Sequence, residues 1–289
     1  MNKRRIDVLI LSDIHLGTRG CEAKCLLNYL KSVEPGLLVL NGDIIDIWQF
    51  RRTYFPAAHW AVVKEFMDIA ARGTTVYYLP GNHDDSLRKI VPFKFGNIQL
   101  ENKLLLELDG KRVWIFHGDI YDGSITHGRW VAKIAGRCYD SLVVFNRFIN
   151  RIRKKLGLKP THFSKKIKSG VKSAVQKVSN FETKAIEVAI DKGYDFVACG
   201  HIHRPQIKEV ETEKGKVTYL NSGDWMENLT ALEYSDGAWT IYSYEEEDYS
   251  GAEFDDNLDP SLSDLISSTE LEEIQEQINT LKNIQKITL

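Results

Sequence analysis

Six short apolar runs limit what this chain can fold into more than any other feature of its sequence. Each has the length of a β-strand and hardly alternates between apolar and polar residues, which is typical of strands buried on both faces. The runs are IDVLIL, LLVL, TTVYYL, VWIF, DFVAC and VTYL. A chain of 289 residues with 43% hydrophobic residues can enclose such strands in one large domain or in a domain with an insertion.

Two kinds of connection join these runs. The segments CEAKCLLNYLKSV and AAHWAVVKEFMDIAARG repeat apolar residues every three or four positions, which predicts helices. The segments LLLELDGKRVWIF, IKEVETEKGKVTYL and TALEYSDGAWTIYSY instead place a glycine turn between two strand-like halves. Parallel units and hairpins therefore coexist, and we predict an α/β fold, a four-layer α/β/β/α sandwich of two mixed sheets.

The parts of the chain outside these runs differ strongly in charge. We predict a core formed by residues 1–123 and 191–245, a helical insertion of residues 124–190, and a C-terminal segment of residues 246–289. Residues 129–184 hold 15 Lys or Arg against two acids, whereas residues 245–289 hold 13 acids against two lysines. The insertion is therefore basic, and the C-terminal segment is predicted to be an acidic linker followed by a helix.

The basic insertion is open to three interpretations. Its apolar residues recur at helical spacing, so two amphipathic helices could form a lid that presents cations to an anionic substrate and apolar surface to acyl chains or a bilayer. A solvated helical pair packed on the core fits the composition equally well. Nucleic acid is a third partner, although aromatic residues do not interleave with the basic ones as they do on base-stacking surfaces.

The sequence shows no sign of export or of a membrane-spanning helix. No apolar run approaches the roughly 20 residues that such a helix needs, and the opening MNKRRIDVLIL has no small-residue cleavage site after it. The four cysteines form neither a CxxC pair nor a disulfide-dense pattern. We expect a cytoplasmic protein, with peripheral contact to the inner face of the membrane if the insertion is a lid.

Side chains that can bind metals follow five of the predicted strands. Rigid strands deliver the residues beyond their carboxyl ends to one rim, so we expect these side chains to meet. Carboxylate, imidazole and amide donors can hold two divalent cations about 3.5 to 4 Å apart around a shared aspartate, which we expect to be Asp43. The residues concerned are Asp13 and His15, Asp43, Asn82 and His83, His117, and His201 and His203.

The motifs SDIHLG, NGDIIDIW, PGNHDD, FHGD and CGHIHRP resemble the metal-binding motifs of the calcineurin-like metallophosphoesterases. They occur in the same order and cover roughly residues 6–240. The resemblance implies two divalent metal ions, and the donor set suits Mn, Fe or Zn, of which we expect Mn. One ion would take Asp13, His15, Asp43 and His203, and the second would take Asp43, Asn82, His117 and His201.

The resemblance also implies roles for His83 and Asp46. His83 would face the substrate phosphate, where it would stabilise the charge or protonate the leaving oxygen. Asp46 would orient His83, and an exposed loop acid is the alternative for this residue. The implied reaction is hydrolysis of a phosphate ester or anhydride by a metal-bridged hydroxide, without a phosphoenzyme.

Three features are similar to the bacterial UDP-2,3-diacylglucosamine diphosphatase group: GHIHRP before a strand, the segment NSGDWMENLTALE, and the long insertion. Members of that group cleave the pyrophosphate of a UDP-linked diacyl sugar during lipid A synthesis and release UMP and the acylated sugar phosphate. His83 stands where the best-known branch carries arginine. We expect a pyrophosphatase for a nucleotide-linked lipid or sugar, with a nuclease or other phosphodiesterase, or a non-catalytic scaffold of the same fold, as alternatives.

Three further residues are candidates for binding the substrate. Arg204 could hold a phosphate, and a surface ion pair is the alternative. Trp225 and Asn228 follow the last core strand and could line the substrate pocket, although an ordinary half-buried loop fits them as well.

Overall fold

The computed structural model describes residues 3–47, 54–121 and 171–245, with only the backbone given for Tyr121 and for residues 171–180. The chain divides into two units, Met1–Ser250 and Gly251–Leu289, and every described residue lies in the first. The predicted C-terminal linker and helix, and most of the predicted insertion, lie outside the described residues. The proposed division into core, lid and tail therefore stays a prediction.

The described residues form twelve β-strands and three α-helices. The strands are Arg4–Leu11 (β1), Val33–Asn41 (β2), Thr75–Leu79 (β3), Phe93–Phe95 (β4), Ile98–Leu100 (β5), Leu104–Leu108 (β6), Lys111–Ile115 (β7), Phe196–Cys199 (β8), Gln206–Thr212 (β9), Gly215–Asn221 (β10), Thr230–Ser235 (β11) and Ala238–Ser243 (β12). The helices are Ala23–Ser32 (α1), Ala57–Ala71 (α2) and Val171–Asp191 (α3). Short 3₁₀ helices cover Asp85–Ile90 and Asp119–Tyr121.

The strands form two mixed sheets. The first has seven strands in the order β12-β11-β1-β2-β3-β5-β4, and the second has five in the order β6-β7-β8-β10-β9. The strands β1, β2, β3 and β5 run parallel to one another in the first sheet, and β7, β8 and β10 do so in the second. The three predicted glycine-turn hairpins form antiparallel pairs at the sheet edges, namely β6–β7, β9–β10 and β11–β12.

The two sheets pack face to face through one apolar layer. Fully burying an aliphatic side chain contributes about 1.5 to 3 kcal/mol, so this layer is a large part of the stability of the fold. Its members include Val8, Ile10, Val39 and Leu232 from the first sheet and Val113, Ile115, Ala198 and Leu220 from the second.

Helices cover the outer faces of both sheets. Helix α1 buries Leu26, Leu27 and Leu30 at helical spacing and packs against β2 and α2. Helix α3 covers the second sheet through Phe181, Ala185 and Ala189, which belong to a cluster with residues of β8 and β10. These layers confirm the predicted α/β/β/α sandwich of two mixed sheets. No helix among the described residues is long and apolar enough to cross a membrane.

The C-terminal part of α3 does not fit the predicted division of the chain into core and insertion. Residues 181–191, which the sequence assigns mostly to the insertion, pack on the second sheet through buried side chains such as Ala185 and Ala189. The described helix begins at Val171 and continues to Asp191. A basic amphipathic pattern alone does not reveal which part of such a helix packs on the core.

Candidate metal centre

The loops that follow β1, β2, β3, β7 and β8 meet at one rim of the sandwich. Within the described residues, possible ligand atoms lie within 4.8 Å of one another in three overlapping groups. His15 and Asp43 each belong to two of these groups, and Asp43 is the carboxylate through which the two sides of the cluster are linked. The groups are Asp13 with His15 and His203, His15 with Asp43 and His83, and Asp43 with His117 and His201.

The backbone at this rim adopts a conformation that side chains other than glycine rarely take. A left-handed residue with a side chain costs on the order of 1 to 3 kcal/mol and concentrates at functional sites. Hydrogen bonds hold the strained loops, since the N–H groups of Asp13 and His15 donate to the carbonyls of Gly42 and Asp43 at 3.0 and 2.9 Å. The left-handed residues are Asp13 (φ 53°), His15 (54°), Asp43 (54°), His201 (67°) and His203 (49°).

Two glycines allow the loops to approach one another closely. A Cβ atom on Gly42, whose φ is +81°, would overlap the ring of His117. A Cβ atom on Gly81 would overlap a carboxylate oxygen of Asp43 and would lie 2.8 Å from Cδ2 of His117. The glycines of NGD and PGN therefore bring the loops after β2 and β3 against the histidine that follows β7.

The buried histidines turn the same ring nitrogen toward the cluster. Nε2 of His117 lies 3.3 Å from Oδ2 of Asp43, and its Nδ1 lies 2.8 Å from the carbonyl oxygen of Asn41. Nε2 of His15 lies 3.9 Å from the same Asp43 oxygen, and its Nδ1 lies 3.4 Å from Oδ2 of Asp46. One nitrogen of each ring thus faces the centre while the other faces an acceptor behind it.

Several atoms at the centre that could bind a metal ion have no hydrogen-bond partner in the described part of the chain. They are Nε2 of His15, Nε2 of His117 and Oδ1 of Asn82, all buried. Buried polar atoms rarely lack a partner, and their lone pairs are the groups that bind metal ions. Carboxylate, imidazole and amide donors without a thiolate suit Mn, Fe or Zn. The residues at this rim therefore fit divalent cations.

The charges at the centre lead to the same conclusion. Burial alone would lower the pKa of His117, but the carboxylates of Asp43 and Asp13 outweigh burial and raise it to about 10. Burial would likewise raise the pKa of Asp13, but the neighbouring His203 and His117 lower it to about 2. A buried site that stabilises positive charge on imidazole will also stabilise bound cations.

His83 and Asp46 form a hydrogen-bonded pair at the edge of the cluster. Nδ1 of His83 lies 2.8 Å from Oδ2 of Asp46, and the backbone N–H of His83 donates to Oδ1 of Asp43 at 2.7 Å. Asp46 is fully buried, so the alternative of an exposed loop acid is wrong. Burial lowers the pKa of His83, but the hydrogen bond to Asp46 and the charges of Asp43 and Asp46 outweigh it and raise the pKa to about 9.

Sequence reasoning missed Asp84, which ties the loop after β2 to the loop after β3. Its buried carboxylate accepts the Gly81 N–H at 2.5 Å, the Ile44 N–H at 3.0 Å and the Tyr78 hydroxyl at 2.6 Å. Burial raises the pKa of this carboxyl. The available signal was an aspartate directly after Asn82 and His83 in a turn, since a short acidic side chain there commonly accepts backbone N–H groups.

The three predicted substrate residues have different surroundings. Trp225 is fully buried and its ring stacks on Tyr29 with centroids 5.4 Å apart, so its ring offers no open surface. The Asn228 amide donates to the His203 carbonyl at 2.9 Å and thus supports the loop of a candidate ligand. Arg204 is exposed directly after His203. Their roles in binding substrate stay predictions.

A cavity of about 200 Å³ borders the centre at His117. Its wall also includes Lys103, Trp114 and Ile120. Arg88, another lining residue, donates to both carboxylate oxygens of Asp119 at 2.8 Å. The cavity therefore combines aromatic and cationic groups beside the candidate ligands.

The chain is similar to several known proteins. A family model described as calcineurin-like phosphoesterase matches residues 6–205. A UDP-2,3-diacylglucosamine hydrolase of Aliivibrio fischeri is 26% identical over 242 residues, which cover 82% of this chain and 98% of the relative. The enzyme of the same name from Stenotrophomonas maltophilia strain K279a is 25% identical over 240 residues, which cover 81% of this chain and 96% of the relative.

Two solved structures are similar at lower identity. An archaeal phosphodiesterase has a TM-score of 0.40 at 16% identity, with 82% of this chain and 98% of that chain covered. The phosphoesterase Yfce of E. coli has a TM-score of 0.41 at 13% identity, with 83% and 93% covered. The range matched by the family model, residues 6–205, contains all seven candidate metal ligands.

Proposed function

We propose a two-metal hydrolytic centre for this chain, which belongs to the calcineurin-like phosphoesterase family. The chain is a hydrolase of phosphate esters or anhydrides, and its family uses divalent metals. The number of ions, their ligands and the substrate are our proposal. The observation that supports it most is the position of Asp43, which lies in two of the possible ligand groups at once.

The proposed ligands divide into two sets that share Asp43. Asp13, His15, Asp43 and His203 would hold one ion, and Asp43, Asn82, His117 and His201 would hold the other, with Mn as the proposed metal. When bound, such a pair supplies Lewis-acid stabilisation of phosphate charge and lowers the pKa of water. All seven ligand residues are present in the chain, which disfavours the alternative of a scaffold that has lost its metals.

His83 is the proposed proton donor for the leaving oxygen. The bond from its Nδ1 to Asp46 fixes the ring at the edge of the cluster. Burial lowers the pKa of His83, but that partner and the charge of Asp43 outweigh it and raise the pKa to about 9, so the ring of the metal-free protein is protonated near neutral pH. A protonated imidazole beside the reacting phosphate stabilises its charge and can deliver a proton.

The proposed substrate is a nucleotide-linked lipid sugar that is cleaved at its pyrophosphate. Curated relatives named UDP-2,3-diacylglucosamine hydrolase, at 23 to 26% identity over about 80% of the chain, support this choice. The cavity at His117 offers aromatic and cationic groups beside the centre. Residues 124–190, except for the part from Phe181 onward that packs on the second sheet, are proposed as the lid for the acyl chains and as the contact with the inner face of the membrane in the cytoplasm.

The substrate proposal is tested by comparing three phosphate compounds under the same conditions. The metal-loaded protein should release UMP from UDP-2,3-diacylglucosamine in the presence of Mn²⁺, faster than it hydrolyses single-stranded DNA or bis(p-nitrophenyl) phosphate. A chelator and the Asp43→Asn variant should each abolish the release. Nucleotide release from DNA alone would contradict the proposal and would favour the nuclease that the basic residues 129–184 make the second candidate.

A further inference from the structure

Asp224 has no role in the proposed reaction, yet its side chain is buried beside the candidate centre. The residue follows β10 and is 1% exposed. Its Oδ1 accepts the N–H groups of Met226, Glu227 and Asn228 at 2.8, 2.6 and 3.3 Å. One carboxylate oxygen therefore folds the loop that follows the strand, and the second oxygen points elsewhere.

The second oxygen faces a candidate metal ligand. Oδ2 of Asp224 lies 3.7 Å from Nδ1 of His203 and accepts a hydrogen bond from the Asn228 amide. Nδ1 of His203 is buried and has no hydrogen-bond partner among the residues that the structure describes. The other nitrogen of this ring, Nε2, lies 3.2 Å from Oδ1 of Asp13.

His117 and His15, two buried histidines of the same cluster, show what this arrangement means. His117 has its Nδ1 against the Asn41 carbonyl, and His15 has its Nδ1 against the Asp46 carboxylate, while Nε2 of both rings faces Asp43. A ring that binds an ion through Nε2 must carry its proton on Nδ1, and that N–H needs an acceptor. For His203, the group in this position is Asp224.

We propose that Asp224 is a positioning residue, which accepts the Nδ1 proton of His203 and so fixes the tautomer and ring orientation of one metal ligand. This inference rests on the proposed two-metal centre. A hydrogen bond of normal length needs the ring and the carboxylate to approach by roughly 0.5 to 1 Å. Loss of this acceptor should weaken the binding of the ion held by Asp13, His15 and His203.

The same loop also holds the backbone of this metal site. The N–H of Trp225 donates to the Asp13 carbonyl at 3.2 Å, and the Asn228 amide donates to the His203 carbonyl at 2.9 Å. The ring of His117 is instead held by a carbonyl of β2. Loss of the Asp224 charge should therefore weaken one metal site and spare the other.

The Asp224→Asn variant of the full chain tests this asymmetry. Asparagine keeps an oxygen for the three backbone N–H groups but removes the charge that faces His203. Calorimetric titration of metal-free protein with Mn²⁺ should show two ions for the wild type, and a 10- to 100-fold weaker affinity for one of them in the variant. Affinity for the other ion should stay within about threefold. Asp109→Asn, which alters the acceptor of the Tyr234 hydroxyl outside the centre, should change neither affinity.

The unfolding temperature of the metal-free protein separates positioning from folding. Asp224→Asn should stay within about 2 °C of the wild type without metal, because the loop keeps its backbone hydrogen bonds. Two unchanged Mn²⁺ affinities in the variant would overturn the inference. Equal loss at both sites together with a large fall of the metal-free unfolding temperature would also overturn it, since that pattern indicates a role in folding alone. A wild-type protein that binds fewer than two ions would refute the two-metal centre itself.

Discussion

Asp43 lies in two groups of possible metal ligands at once, so its carboxylate should matter more than that of any other acid at the rim. We predict that Asp43→Asn abolishes turnover and lowers the metal content, because an amide cannot supply the charge that two cations share. Metal analysis and hydrolysis of bis(p-nitrophenyl) phosphate measure both effects. Asp68→Asn, which only breaks an exposed bond to Lys64 on α2, is the matched control. Full activity of Asp43→Asn would refute the assignment.

His83 should behave differently, because it is proposed to act on the substrate without binding metal. We predict that His83→Ala lowers the rate by about 10²- to 10⁴-fold while both ions stay bound. The measurement is the hydrolysis rate at saturating Mn²⁺ together with the number of ions bound per chain. Loss of an ion in this variant would show that His83 is a ligand, and an unchanged rate would show that it has no catalytic role.

His59 on α2 predicts how stability depends on pH. The ring is 3% exposed and its Nδ1 accepts the Gly17 N–H at 2.9 Å. Burial lowers the pKa of His59 from 6.5 to about 4, so below pH 6.5 the unfolded chain binds a proton that the folded chain excludes. This contribution to stability is present above pH 6.5 and is lost as the pH falls toward 4, by about 2 kcal/mol between pH 7 and pH 5.

The variant His59→Asn isolates this contribution. Asparagine still offers an acceptor to Gly17 but does not titrate, so its free energy of unfolding should fall less between pH 7 and pH 5 than that of the wild type. Urea denaturation at the two pH values measures the difference. Equal losses in the two proteins would show that His59 is protonated in the folded state.

The loops after β2 and β3 approach each other closely, and a substitution at Gly81 tests whether metal binding depends on this approach. A Cβ atom there would lie 2.6 Å from the Asp43 backbone nitrogen and would overlap its carboxylate. We predict that Gly81→Ala displaces Asp43 and lowers Mn²⁺ affinity at least tenfold. Gly110→Ala is the control, because Gly110 has a φ of +74° with nothing within 4 Å of an added Cβ. It should cost about 1 kcal/mol of stability and leave metal binding unchanged, and equal affinities in both variants would contradict the prediction.

Most of the strands and hairpins could be predicted from the sequence. The buried strands are apolar runs that do not alternate with polar residues, and the hairpins contain a glycine turn. The convergence of the ligand side chains could be predicted for a related reason, since each ligand motif directly follows such a run. The segment DFVAC followed by GHIH, for example, becomes β8 with His201 and His203 at its end.

Other features had no signal in a single sequence. The left-handed backbone of Asp13, His15 and His203 results from hydrogen bonds between loops that are distant in the chain. The short strands β5 and β4, the last two at one side of the first sheet, carry too few residues to show a period. The roles of Asp84 and Asp224 depend on which N–H groups and rings the fold brings to them, and an acid in a turn looks the same whether or not it has such partners.

The candidate centre lies where the two sheets meet, which links metal binding to the stability of the fold. Asp13, His15 and Asp43 follow strands of the first sheet, whereas His117, His201 and His203 follow strands of the second. Each proposed ion therefore takes ligands from both sheets. Because an ion that binds only the folded state stabilises it by mass action, Mn²⁺ at 100 times its dissociation constant should add about 2.7 kcal/mol per site.

For a domain of this size, that stabilisation predicts a rise of the unfolding temperature of roughly 5 to 10 °C for each site that Mn²⁺ fills when it is added to metal-free protein. Differential scanning calorimetry with and without a chelator measures it. Asp43→Asn should show a much smaller rise, because it lacks the shared ligand. An unfolding temperature that does not respond to Mn²⁺ would show that ions do not connect the two sheets.

The most direct measurement is the anomalous diffraction of a crystal loaded with Mn²⁺. We predict two peaks roughly 3.5 to 4 Å apart, one on each side of Asp43, with Asp13, His15 and His203 around the first and Asn82, His117 and His201 around the second. A single peak, or peaks away from Asp43, would contradict the two-metal centre.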